Sequence, residues 1–289
     1  MGVRRLRVVL RRAGHAEGPG LPPALVNRAR RRPPALVLVA ATAGLLLFAL
    51  PLLGLIQRAD WANLLDHLRS PAATDAMRLS LTTSTMATVV AIVLGLPLAW
   101  VLARTDIPGR AAIRALVLLP MVLPPVVGGV ALLSAFSRRS PIGGWLYDAF
   151  GIQLTFSRAG VVLAEAFVAM PFFVITVEAA LRATDQRYEQ VAAGLGASPN
   201  QVFRRVTLPL IAPAVIAGAI LSWARALGEF GATITFAGNI QGRTRTLPLA
   251  VYLQLESDPQ GAIALSLVLL LISFAVLIGL RDRWLGAAR

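Results

Sequence analysis

Two charges stand in a stretch that is otherwise apolar: Arg225 and Glu229, within SWARALGEFGATITF at residues 222–236. Residues four apart share one face of a helix, so the spacing suits an intrahelical ion pair. It also suits a cation and an acid that line a polar path or its outer gate, with the Thr233 and Thr235 hydroxyls beside them. A charge at bilayer depth costs about 2.5–3.5 kcal/mol on insertion scales. Each of Val215, Ile216, Ile220, Leu221 and Leu227 returns only about 0.3–0.6 kcal/mol. The helix is therefore marginal alone and must turn its charges toward a bundle interior or a wet cavity. Ala214, Ala217, Gly218, Ala219 and Ala224 permit the close backbone approach this requires. Two further acids, Glu165 and Glu178, stand in the apolar run 159–181, where Glu178 lies close enough to one end to reach water.

Other chemistries lack their groups. The chain has no Cys, which removes disulfides and thiolate metal sites, and its two His, His15 and His67, are far apart in sequence. All 28 basic residues are Arg. A phosphate-cradling Walker A loop needs its Lys, so any ATP-driven work must come from a separate subunit. No cofactor or metal is expected on this chain. An intramembrane enzyme would need paired catalytic groups at depth, and Arg225 with Glu229 supplies neither nucleophile nor metal site. A secondary transporter using Glu165 or Glu229 as a proton relay is the rival reading from another class.

These residues must be held by membrane helices. Of 289 residues, 56% are hydrophobic and 15% charged, with mean hydropathy +0.70. Soluble domains carry about a quarter charged residues. About twenty apolar residues span a bilayer, and six candidate spans follow: 35–56, 82–103, 112–136, 159–181, 212–227 and 262–280. The fold class is all-α integral membrane. With the N-terminus inside, the inner segments carry 19 Arg and the outer segments eight. The positive-inside rule then places both termini in the cytoplasm. Residues 1–34 hold nine of those Arg against one acid and read as a disordered cytoplasmic tail, either a topology signal or a contact to anionic lipid. A basic charge distributed this way points to a membrane surface and away from nucleic acid. Trp61, Trp100, Trp145 and Trp284 fall near span ends as interfacial anchors, and GGWLYDAFG at 143–151 suggests a short outer interfacial helix. Pro97, Pro120, Pro124, Pro125 and Pro171 lie inside spans, which lipid tolerates where neighbours or a wet cavity satisfy the freed carbonyls. The densest case, 120–129, is either an irregular helix beside a pathway or a kinked packing helix. Beyond the fifth span, Gly238–Pro248 reads as an outer loop whose Arg243 and Arg245 can meet an anion or a partner that delivers one.

The longest polar run between apolar blocks is Asp185–Pro209, DQRYEQVAAGLGASPNQVFRRVTLP. Tyr188, Val191, Ala192 and Leu195 take the i, i+3, i+4, i+7 spacing of one helix face. Gly196 sits where a helix C-terminus wants positive φ. Ser198, Pro199 and Gln201 read as a restart with a capping box. Two short helices with a sharp break between them, on the inner side, present an apolar face with no core of their own. That shape suits another protein's groove.

With these residues in view, the chain resembles the permeases of ABC importers, whose cytoplasmic coupling motif runs E-A-A-x-x-x-G and, further on, I-x-L-P. Glu189, Ala192, Leu195, Gly196, Ala197 and Ser198 match it, followed by the run from Phe203 through Arg204 to Leu208 and Pro209. Gln190 and Val191 stand where many members have Glu and Ala. Ser80-Leu-Thr-Thr, LGLPLAWVLAR at 94–104 and LPMVLPPVVGG at 119–129 are similar to the same family, and the likeness runs over about residues 75–281. GEFGATITFAGNIQGRTRTLPLAVY, 228–252, is similar to molybdate permeases, whereas sulfate permeases share the GEFG part. The resemblance implies a type I importer fold in a cell inner or plasma membrane. It implies two permease copies, two ATPase subunits that bind ATP and magnesium, and an extracytoplasmic molybdate-binding protein. Glu189, Ala192, Leu195, Gly196, Ser198, Arg204 and Pro209 would couple to the ATPase, and closure there would swing the spans. Sulfate or tungstate is the alternative substrate.

Overall fold

The computed structural model describes residues 34–286, with side chains through 279. The Arg-rich tail and the Trp284 side chain lie outside the described parts. Two compact units divide the chain, meeting after Leu53. The first holds most of α1 (Ala35–Gln57), which contains no acidic or basic residue. Leu36, Leu47 and Phe48 are among its exposed side chains, as suits hydrocarbon surroundings.

The second unit begins with α2 (Leu64–Arg69) and α3 (Pro71–Arg104). The expected second span began at Thr82, but α3 starts at Pro71. The Ser70 hydroxyl accepts from Ala73 N at 3.3 Å and proline fills the first helical position. At 1.5 Å per residue α3 is about 50 Å long and outruns the hydrocarbon layer. Ala73, Ala76, Ser80, Thr83, Ala87, Ala91 and Ala99 are buried along it at helical spacing, a seam of small residues. Against this seam lies α7 (Arg158–Ala183), with α10 (Leu208–Leu227) on both. Ala91, Leu102, Phe173, Val177, Leu181 and Ile211 close the core toward the C-terminal ends of α3 and α7 and the start of α10. With hydrocarbon on every side there is little hydrophobic force between helices, so close approach and interhelical hydrogen bonds hold them.

The third expected span, 112–136, is two helices, α4 (Arg110–Val122) and α5 (Pro125–Phe136), bent by 120°. Leu123 precedes Pro124 and Pro124 precedes Pro125, so both are pushed out of helical backbone, to ψ 135 and 131. Two consecutive extended residues turn the chain. Then comes α6 (Pro141–Phe150), the short helix expected over GGWLYDAFG; Ser140 caps it by accepting from Gly143 N at 3.1 Å.

The polar run folds as α8 (Arg187–Gly194), a break, and α9 (Pro199–Val202). The fifth span does not start at Ala212. A turn of π-helix, Phe203–Thr207, joins α9 to α10 without interruption. The wide turn lies directly before Pro209, whose ring in a regular helix would press on the carbonyl of Arg205. Past α10 the sequence reading missed two elements, α11 (Gly231–Ala237) and α12 (Leu247–Ser257). The chain closes with α13 (Pro259–Gly286). Among the described residues, five helices are long and apolar enough to cross a membrane, six if the bent pair counts as one.

Candidate functional site: a buried ion pair and an exposed loop

The Arg225–Glu229 pair forms at a corner. Arg225 lies in the last turn of α10, and Glu229 lies between α10 and α11. Arg225 Nη1 is 2.7 Å from Glu229 Oε2. The other carboxylate oxygen, Oε1, accepts from Ala232 N at 2.8 Å and so caps α11. The Glu229 side chain is 1% exposed and that of Arg225 27%. One buried acid therefore pairs with the partly exposed arginine and starts the next helix.

α11 is held by close backbone approach. A Cβ on Gly129 of α5 would come within 2.6 Å of Thr235 Cβ and 2.9 Å of Ala232 O, and one on Gly231 within 2.8 Å of Pro125. The prolines of 120–129 thus aim α5 at α11, beside the charged corner. Thr235 Oγ1 donates to Gly231 O at 2.8 Å, and Thr233 is wholly buried. Glu165 is buried on α7 and its Oε1 accepts from Thr83 Oγ1 at 3.0 Å. Arg243 and Arg245 are not gathered into this corner. Arg245 folds its own loop, donating from Nε to Asn239 Oδ1 at 2.9 Å and from Nη1 to Gln241 Oε1 at 3.4 Å. Arg243 is exposed, and Arg158 Nη2 holds Gly242 O at 2.8 Å.

At the opposite end of α10, the α8–α9 break has the expected chemistry. Gly196 adopts φ +88. Its N–H donates to Ala193 O at 3.0 Å and that of Ala197 to Ala192 O at 3.1 Å, the two bonds of a Schellman stop. Ser198 Oγ accepts from Gln201 N at 3.4 Å while Gln201 Oε1 accepts from Ser198 N at 2.8 Å, closing the capping box. Tyr188, Val191 and Leu195 are 60%, 62% and 85% exposed, an apolar strip with no partner among the described residues. Ala192 is half-buried, so the expected single face is split. Arg204 and Arg205 are exposed and line an open pocket of about 440 Å³ with Ser198, Asn200 and Gln201. Pro209 is exposed at the start of α10.

The side chain of Glu189, expected at the partner contact, turns into its own chain. Glu189 Oε1 accepts from Arg104 Nη2 at 3.2 Å and from Thr207 Oγ1 at 3.0 Å. Glu178 does not reach water either. It is 1% exposed, with Arg182 Nη2 2.7 Å from Oε1 and Arg114 Nε 3.3 Å from Oε2. The long arginines reach the acid, which is the cheaper arrangement because they keep partial contact with solvent. Arg104 and Arg114 escaped the sequence reading. Their partners stand far along the chain, and the one available signal was that each arginine ends or begins a span.

These features define a membrane subunit with an exposed helix-break-helix loop at one end and a charged corner toward the other. Its fold is that of ABC-transporter membrane subunits. The chain aligns with the structure of a bacterial ABC transporter involved in import of the acidic polysaccharide alginate at TM-score 0.68 and 17% identity, over 86% of this chain and 93% of that one. Residues 91–286 match the family described as binding-protein-dependent transport system inner membrane component, and the chain belongs to that family. It is 48% identical to the molybdenum transport system permease protein ModB of Mycobacterium tuberculosis, over 86% of this chain and 94% of that protein. It is 39% identical to the sulfate transport system permease protein CysT of Salmonella typhimurium, over 80% and 85% respectively.

Proposed function

We propose that this chain is the permease subunit of an ATP-driven molybdate importer. The observation that carries the substrate is the greater identity to ModB, 48% against 39% to CysT, over nearly the full length of the relative. Two copies of the chain form the path, two ATPase subunits bind ATP and magnesium, and an extracytoplasmic molybdate-binding protein delivers the oxyanion. The chain itself performs no covalent chemistry. Its termini lie in the cytoplasm, as its arginine distribution favours.

The apolar strip of α8, with Leu195 at its tip, seats in a groove of the ATPase. Burying one leucine contributes about 1.5–3 kcal/mol, and Tyr188 and Val191 add to it. Gly196 and the Ser198 capping box fix the angle between α8 and α9, and Arg204 meets acidic groups at the rim. Nucleotide-driven closure moves α9 and the continuous helix above it. Arg225 lies at the far end of that helix, and Glu229, Thr233 and Thr235 follow it in the connection and α11. Arg225 supplies the cation that an oxyanion would meet at the outer gate, and exposed Arg243 is a contact for the substrate or its carrier.

Proteoliposomes holding the chain with its ATPase, and supplied with the binding protein, test this. Molybdate uptake should require ATP and persist in a large excess of sulfate. Sulfate uptake at an equal rate would replace the substrate. Uptake driven by a proton gradient without ATP would replace the class.

A further inference from the structure

A docking loop transmits movement only if something stiff joins it to the spans, and packing does not supply that here. Between α8, the π turn and the end of α3 lies a hollow of about 300 Å³ lined by Trp100, Glu189, Ala193, Val202, Phe203 and Thr207. The outward apolar side chains of α8 are exposed. Among the described residues, the side-chain hydrogen bonds that leave α8 for the spans both end on Glu189 Oε1, one from Arg104 and one from Thr207. Arg104 belongs to the last turn of α3, where the helix dipole favours a cation. Thr207 closes the π turn at the foot of α10.

We propose that Arg104 is the positioning residue that couples the docking loop to the membrane path, through a three-way latch with Glu189 and Thr207. Its guanidinium is well placed for this. The side chain is 5% exposed, and Nη2 also donates to Thr184 O at 3.3 Å, at the C-terminal end of α7. One arginine thus ties α3, the end of α7 and α8, and Glu189 carries the tie to α10 through Thr207. A push on α8 is shared among three spans at once instead of bending a loop over a cavity. A charge-assisted hydrogen bond to a buried guanidinium is costly to break, because breaking it strands a desolvated charge. The latch acts on neither substrate nor nucleotide. The proposal rests on the reading that α8 docks the ATPase.

The test measures molybdate taken up per ATP hydrolysed, in parallel with ATPase assembly by co-purification. Arg104→Gln should lower the ratio by about fivefold or more, the low end of the range for coupling between sites, while assembly stays at the parent level. Thr207→Val, which removes one hydroxyl, should lower it less. Arg104→Lys, which keeps a charged donor, should retain more of the ratio than Arg104→Gln at equal assembly. An unchanged ratio in assembled Arg104→Gln would overturn the latch. So would loss of assembly in both Arg104→Gln and Thr207→Val, since that would make Arg104 a shaper of the docking surface. Leu195→Asp tests docking separately: it should abolish assembly, and full assembly by that variant would remove the docking reading whatever Arg104 does.

Discussion

Glu229→Ala is expected to bring uptake to background and to lower the thermal midpoint of the solubilised chain. The substitution removes two interactions at once. It strands Arg225, which now has Glu229 at 2.7 Å, and it uncaps α11 at Ala232 N. Removing one partner of a buried pair costs about 3–5 kcal/mol, and a lost cap about 1 kcal/mol. Arg225 is partly exposed and can reorient, so the lower end of the first figure applies. Glu229→Gln can keep the cap oxygen and should recover part of the stability. The double variant Arg225→Leu with Glu229→Gln should recover most of it, because a neutral pair leaves no charge unpaired. If Arg225 meets the oxyanion, that stable double variant still fails to transport. Restored uptake would leave the pair only its role in building the corner.

Gly196→Pro is expected to give a chain that inserts and folds but no longer couples ATP hydrolysis to uptake, with uptake falling by about tenfold or more. Proline fixes φ near −65° and has no N–H. The position needs φ +88 and donates to Ala193 O. The Schellman stop is lost, and α8 and α9 leave their relative angle. Damage stays local, since nothing lies within 4 Å of a Cβ at Gly196. Gly196→Ala keeps the N–H and meets only the cost of left-handed backbone, about 1–2 kcal/mol, so its loss should be partial. Normal uptake by the proline variant would take the loop apex out of the coupling path.

What could be read from the sequence was set locally. The span expected at 159–181 is Arg158–Ala183, because an uninterrupted apolar run has few other fates in a bilayer. The Gly196 stop and the Ser198 box follow from backbone demands that residue type alone expresses. The Arg225–Glu229 bond was expected within one helix, whereas it forms across the end of α10. Four things were not local. The proline pair announced a break, but the 120° turn and the docking of α5 on α11 through Gly129 and Gly231 depend on helices distant in sequence. The short α11 takes its start from the Glu229 carboxylate, which no periodicity reveals. Glu178 took two arginine partners, one from another helix, where its place near the end of the span suggested only a path to water. Glu189 carried a family resemblance toward an external contact, while its true neighbours, Arg104 and Thr207, lie 85 and 18 residues away.

The most direct measurement uses the absence of cysteine. Leu195→Cys places a single thiol at the tip of α8 in a chain that has none of its own. A maleimide should label it rapidly in the chain alone and be excluded once the ATPase subunit is bound, and labelling before assembly should block ATP-driven molybdate uptake. Equal labelling in the free and assembled states, with uptake unaffected by the attached group, would contradict docking at this loop.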